Sequence, residues 1–186
     1  MITPAAIRRW VEGFDPQGDP HAVWSRETTL ALLARDEAVC SRASFDPGHV
    51  TASGLVLSTD GEAIVLVFHT RLQRWLQPGG HIEATDETVV DAARREVLEE
   101  TGIAVDAGVT PVLVSVDVHE IPAARGEPAH RHHDIMFRFV APGGDPMAGA
   151  GALRVSWAKV DRLGDFGVDG PLRRAVARAR TIPPGG

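Results

Sequence analysis

The chain of 186 residues has one cysteine, one lysine and no tyrosine. With Cys40 alone, no intrachain disulfide can form and a cysteine-based zinc cluster is excluded. As a lone thiol it is read as a packing residue rather than a nucleophile. The missing tyrosines, with aromatics at 5%, thin the supply of rings that stack on bases. Lys159 stands against eighteen arginines beside abundant alanine and glycine, a bias that points to coding composition more than to a nucleic-acid partner. The formal net charge of −6 argues the same way, because gripping long nucleic acid depends on basic surface that displaces phosphate counterions. No apolar run reaches membrane-spanning length, and the N-terminal MITPAAIRRWVEGF lacks the apolar core of a signal peptide, so the expected address is the cytoplasm with no membrane partner.

What is present is a globular composition, 44% hydrophobic and 24% charged, enough to bury a substantial core in one compact unit. The most informative stretch is GGHIEATDETVVDAARREVLEETGI, from Gly79 to Ile103. Glu96, Glu99 and Glu100 stand at i, i+3 and i+4, within an arc of roughly 100° on one helix face. Each like-charge pair at that spacing costs an isolated helix about 0.2–0.5 kcal/mol, and a bound cation reverses the sign. A solvated acidic face paired to Arg94 and Arg95 is the plain alternative. The flanks weigh against it: Pro78-Gly79-Gly80 is a turn whose glycines let backbone approach a ligand, Thr88 and Asp91 form a capping box, and Gly102 sits where a helix ends.

These residues resemble the Nudix box: glycine, five residues, glutamate, seven residues, then Arg-Glu-aliphatic-any-Glu-Glu-any-Gly-aliphatic. Arg95, Glu96, Val97, Glu99, Glu100, Gly102 and Ile103 match the second half, and Glu87 lies seven residues before Arg95. Six residues, His81 to Asp86, separate Gly80 from Glu87 where the pattern has five; the extra one lengthens the turn and leaves the helix register intact. The resemblance covers about His49 to Arg180. It implies an α/β fold, a Nudix-like α/β/α sandwich with a mixed sheet, the box forming a loop-helix-loop against it. It also implies Glu96 and Glu100 as first ligands of Mg2+, with Mn2+ as substitute, Glu99 as further ligand or water-positioning residue, and the Gly80 carbonyl as an extra ligand. Arg95 then orients a glutamate, Gly79 and Gly80 line the substrate, and Glu87 is secondary.

Along the chain, residues 1–45 read as a helical extension packed on the domain, with Thr3-Pro4 as a cap and a helix over about Glu27 to Val39. They can shape a lid, a substrate pocket or a homodimer contact, and the sequence does not choose. Residues 46–182 form the domain and 183–186 a frayed tail. VTASGLVLS and AIVLVFH read as a hairpin across Thr59-Asp60-Gly61. PVLVSVDVHEI, HHDIMFRFV and LRVSWAKV read as later strands, and PLRRAVARAR as a C-terminal helix.

A second constellation is histidine-rich. On a strand, His130, His132 and Asp134 share one face while His133, Ile135, Phe137 and Phe139 take the other. The first set, with His119 and Glu120 nearby, serves as substrate phosphate contact, proton relay or auxiliary metal ligand, or else is a polar strand end with nothing bound. A zinc site on His130, His132 and His119 leaves the glutamate face unexplained. His81 contacts substrate or is a solvent-exposed loop residue; Trp75 stacks on a base or anchors the glycine loop.

The expected activity is hydrolysis of a phosphoanhydride in a small nucleoside diphosphate-linked metabolite, by water activated at a carboxylate-bound metal. Alternatives are a hydrolase of prenyl or inositol diphosphates, and a catalytically silent ligand-binding or regulatory module of the same fold. An isomerase is disfavoured, since Cys40 precedes the catalytic region.

Overall fold

The computed structural model describes residues 2–35, 37–70, 72–124, 126–141, 143–149, 152–168 and 170–182; the frayed tail expected at 183–186 lies outside these. Seven strands among them form one mixed sheet: β1 (Gly48–Leu57), β2 (Ala63–His69), β3 (Arg74–Leu76), β4 (Gly79–His81), β5 (Val112–Ile121), β6 (His130–Val140) and β7 (Ala152–Lys159). The main path runs β3-β2-β1-β6-β5, with β4 also on β1 and β7 also on β2. Strand β1 is the spine. It pairs in parallel with β6 from Gly48↔Arg131 to Leu57↔Val140 and is buried along its whole length, as a strand covered on both faces must be.

The expected hairpin between β1 and β2 holds at a single registered pair, Leu57↔Ile64, and then opens. Further along, β1 accepts β4 through Thr51↔His81, Ala52↔Gly80 and Ser53↔Gly79, while β2 is taken by β3 and β7. The glycine segment expected as a turn is therefore a short strand. Strand composition is local information, whereas the choice of partner depends on which edges the rest of the chain leaves free.

Side-chain alternation along β1 separates two cores. Val50, Ala52 and Val56, with Ile135, Phe137 and Phe139 of β6, pack with residues of α1 (Pro4–Gly13), α2 (Pro20–Leu32) and α3 (Val89–Thr101). Leu55, Leu57, Ile64, Leu66 and Met136 pack on the other face with Leu172, Ala175, Val176 and Ala179 of α4 (Gly170–Thr181). This is the three-layer α/β/α sandwich. Among the described residues, no helix is long and apolar enough to cross a membrane.

Helix α2 starts at Pro20, earlier than the composition implied, and ends at Leu32. Asp19 accepts the Ala22 N–H at 2.9 Å and Pro20 follows it, the same cap-then-proline device by which Thr3 and Pro4 open α1. A single 3-10 turn, Glu37–Cys40, replaces the expected continuation. Two side chains tie α2 to the sheet: Ser25 Oγ accepts the Val118 N–H at 3.1 Å, and Thr29 Oγ1 lies 3.0 Å from His133 Nδ1.

Candidate active site

Helix α3 is fixed at both ends and along one side. The Thr88 side chain accepts the Asp91 N–H while Asp91 accepts the Thr88 N–H, completing the capping box. Gly102 ends the helix at φ 68°, left-handed backbone that glycine adopts without a Cβ penalty. Val89, Val90, Ala93 and Val97 are buried against the sheet, each valine contributing about 1.5–3 kcal/mol. At 3.6 residues per turn, that docking turns Glu96, Glu99 and Glu100 away from the core and toward β4.

There the glycines are required. The Gly79 N–H donates to Glu100 Oε2 at 3.1 Å, and a Cβ added at Gly80 would lie 2.6 Å from Glu96 Oε1. Any larger residue would displace the carboxylate. The sequence's glycine pair and its acidic helix face thus meet at atomic contact.

Arg95 organises the other side. Its Nε and Nη2 donate to the two oxygens of Asp86, each at 3.0 Å, Nη2 also reaches the His81 carbonyl at 2.8 Å, and Nη1 donates to Glu96 Oε1 at 2.8 Å and Glu99 Oε2 at 3.2 Å. The Asp86 bond holds the guanidinium charge still more firmly, raising its pKa beyond the ordinary arginine value. Asp86 is a residue that the sequence had not singled out. Glu87 is exposed, while the Asp86 side chain is only 4% exposed and does the bonding. The signal was available, since Asp86 is the acid that follows Gly80 after five residues; the extra residue falls between Asp86 and Arg95, not before the acid.

The three glutamates are not equivalent. Glu96 is 13% exposed at its side chain and Glu99 47%. Burial raises the Glu96 pKa, and the Arg95 bond only partly offsets it. Burial pushes Glu100 up to about 7 against the lowering effect of the Gly79 N–H, with the charges of Glu96 and Glu99 adding to the rise. Two sheltered carboxylates one turn apart, each made costly to ionise by burial, fit a hard dication, which removes both penalties together.

The histidines gather on the other side of the sheet. Along β4, Gly80 faces Glu96 and its neighbours Gly79 and His81 take the opposite face, where Gly79 abuts Ser53. His81 there meets His132 and His49, with His130 stacked on His49, and His49 is a residue that the sequence had not singled out. His130 Nε2 is 3.3 Å from His132 Nε2. His119 does not join them closely: its Nδ1 is 3.0 Å from Asp117 Oδ2, with its ring centroid 5.7 Å from that of His132. Burial pulls the His119 pKa down, but the Asp117 bond together with the charges of Asp134 and Asp117 outweighs it and the value is raised. Asp134 is 3% exposed and accepts the Thr51 and Ser53 hydroxyls at 2.9 and 2.7 Å, so it pins β6 to β1 and shows almost no surface to a ligand. Trp75 stands edge-on to Phe68 and Phe166, with Arg154 5.3 Å from its ring centre.

An acidic helix clasped by a glycine strand places the chain among the α/β/α sandwich folds. A family model for the NUDIX domain matches residues 47–179, and the chain belongs to that family. The phosphatase NudJ of Escherichia coli strain K12 is 67% identical over 59 residues, 32% of this chain and 37% of that protein, so the match spans little more than a third of its length. The NUDIX domain of Shewanella oneidensis NrtR, complexed with ADP ribose, superposes with a TM-score of 0.56 at 14% identity, covering 81% of this chain and 96% of that one. The E. coli dihydroneopterin triphosphate pyrophosphohydrolase gives 0.54 at 20% identity over 68% and 91%. At such identities these two structures speak for the fold alone.

Proposed function

We propose that the protein hydrolyses a phosphoanhydride bond in a small nucleoside diphosphate-linked metabolite with the help of a divalent metal. One observation carries this reading: Glu96 and Glu100 are sheltered one turn apart against the glycine strand, with burial holding Glu100 near pH 7, an arrangement a dication would relieve. The name of the phosphatase NudJ, part of which this chain matches, fits it.

Glu96, Glu100 and Glu99, with the Gly80 carbonyl, would hold Mg2+ or Mn2+, which supplies positive charge against the diphosphate and acidifies a bound water. The chain's own residues do the rest. Glu99, the most exposed of the three, is free to orient the attacking water and take its proton. Arg95 fixes Glu96 and Glu99 through charge-assisted bonds and is a positioning residue. Gly79 and Gly80 let substrate phosphates approach the backbone. In this reading residues 46–182 are the catalytic unit and 1–45 a packed extension. A single cysteine forms no intrachain disulfide, in keeping with the cytoplasmic address we propose.

The test is a panel of nucleotide, dinucleotide, nucleotide-sugar and prenyl diphosphates with Mg2+ in 18O water, products read by mass spectrometry. Turnover of nucleoside diphosphate compounds, reduced by orders of magnitude in Glu99→Gln and Glu100→Gln, is the expected result. Near-wild-type rates in both variants would remove these residues from the mechanism. Silence across the panel with tight binding of one compound would replace the enzyme by a binding module.

A further inference from the structure

We propose that His49, His81 and His132 form a second metal site, for one transition-metal ion of the zinc class, built separately from the glutamate face. The three residues come from β1, β4 and β6, and one ring nitrogen from each lies within 4.8 Å of the others. Zinc–nitrogen bonds of about 2.0–2.1 Å place tetrahedral ligands about 3.4 Å apart, so rotation of the rings by roughly an ångström closes the set.

An independent observation points to a missing partner. His49 is 1% exposed, and its Nδ1 lies 2.9 Å from the Ser44 carbonyl. A carbonyl only accepts, so Nδ1 carries the proton and Nε2 holds a lone pair. That Nε2 is buried with no hydrogen-bond partner. A buried acceptor left without a partner is costly, and a cation answers it. The N–H to carbonyl bond on the far nitrogen is also the outer support that metal-bound histidines carry, fixing tautomer and ring orientation.

The chemistry selects the ion. All three donors are imidazoles, which suit zinc and its transition-metal neighbours rather than magnesium. Asp134, two residues beyond His132 on the same face of β6, already accepts the Thr51 and Ser53 hydroxyls. The three rings lie together on one face of the sheet, with centroids 4.7 to 5.3 Å apart. His130 stands beside them with Nδ1 2.8 Å from the Pro128 carbonyl. Three protein ligands leave a fourth position for water. Because His81 follows Gly80 directly, an ion here would brace the strand that meets Glu96 and Glu100.

The experiment uses tag-free, metal-stripped full-length protein titrated with Zn2+ by calorimetry, and with Co2+ by visible absorption. The expected result is one Zn2+ per chain, undisplaced by excess Mg2+, and intense Co2+ bands of a four- or five-coordinate nitrogen site. His49→Ala, His81→Ala and His132→Ala should each weaken Zn2+ binding by about a hundredfold or more, while Glu96→Gln and Glu100→Gln leave it unchanged. Binding that survives in folded histidine variants, or disappears in the glutamate variants, overturns the proposal. So does the pale spectrum of six-coordinate Co2+ in the wild-type protein, a readout that holds even where a histidine variant fails to fold. Hydrolytic activity is measured in none of these arms, so the outcome is independent of the glutamate reading.

Discussion

Replacing Glu100 by glutamine should make the metal-free protein more stable and less active, with the gain growing as pH rises. The glutamine oxygen still accepts the Gly79 N–H, so shape and hydrogen bond survive while the charge is removed. In the folded protein the Glu100 pKa is raised from 4.5 to about 7. Below about pH 4.5 the carboxyl is protonated in both folded and unfolded chains and contributes nothing. Between these values the unfolded chain loses its proton first, so folding stability falls as pH rises, and above about pH 7 the whole cost is present. At 1.36 kcal/mol per unit, the rise corresponds to about 3 kcal/mol. For a chain of this size that is roughly 6–12 °C in melting temperature. The assay is thermal unfolding in chelator at pH 4.5 and pH 8, wild type against Glu100→Gln. The variant should gain at pH 8 and not at pH 4.5, and Mg2+ should stabilise the wild type at pH 8 far more than the variant. Equal stabilisation at both pH values, or none at either, would refute the claim that Glu100 is held at a cost for a cation.

Three further outcomes follow from the same geometry. Arg95→Ala leaves the Asp86 carboxylate, 4% exposed, without its guanidinium and should cost about 3–5 kcal/mol in chemical denaturation; Arg95→Lys should recover little, because a lysine cannot make the two-pronged bond, and a double-mutant cycle with Asp86→Ala should show strong coupling. Gly80→Ala puts a methyl 2.6 Å from Glu96 Oε1 and should lower turnover about a hundredfold, whereas Gly13→Ala, with nothing within 4 Å, should leave it unchanged in a steady-state assay. Asp134→Ala strips the acceptor from the Thr51 and Ser53 hydroxyls and should lower stability by about 2 kcal/mol, read by thermal unfolding.

The sequence by itself determined much of what rests on neighbours in the chain, although the Asp19-Pro20 cap that opens α2 was passed over. The capping box of Thr88 and Asp91, the closing Gly102 and the spacing of Glu96, Glu99 and Glu100 are short-range facts, because helix hydrogen bonds and the 3.6-residue period act within a few positions. The strand segments were legible for the same reason, and so was the split of β6 into an apolar face with Phe137 and a polar face with His132. Tertiary structure alone decided who meets whom. It opened the hairpin in favour of β4, gave Arg95 the carboxylate of Asp86, and enclosed Asp134 under two hydroxyls. It also brought His49 to His132 through a parallel register. No local pattern marks His49, since a lone histidine at a strand's start acquires chemistry only when burial removes its water and a distant strand supplies its neighbours.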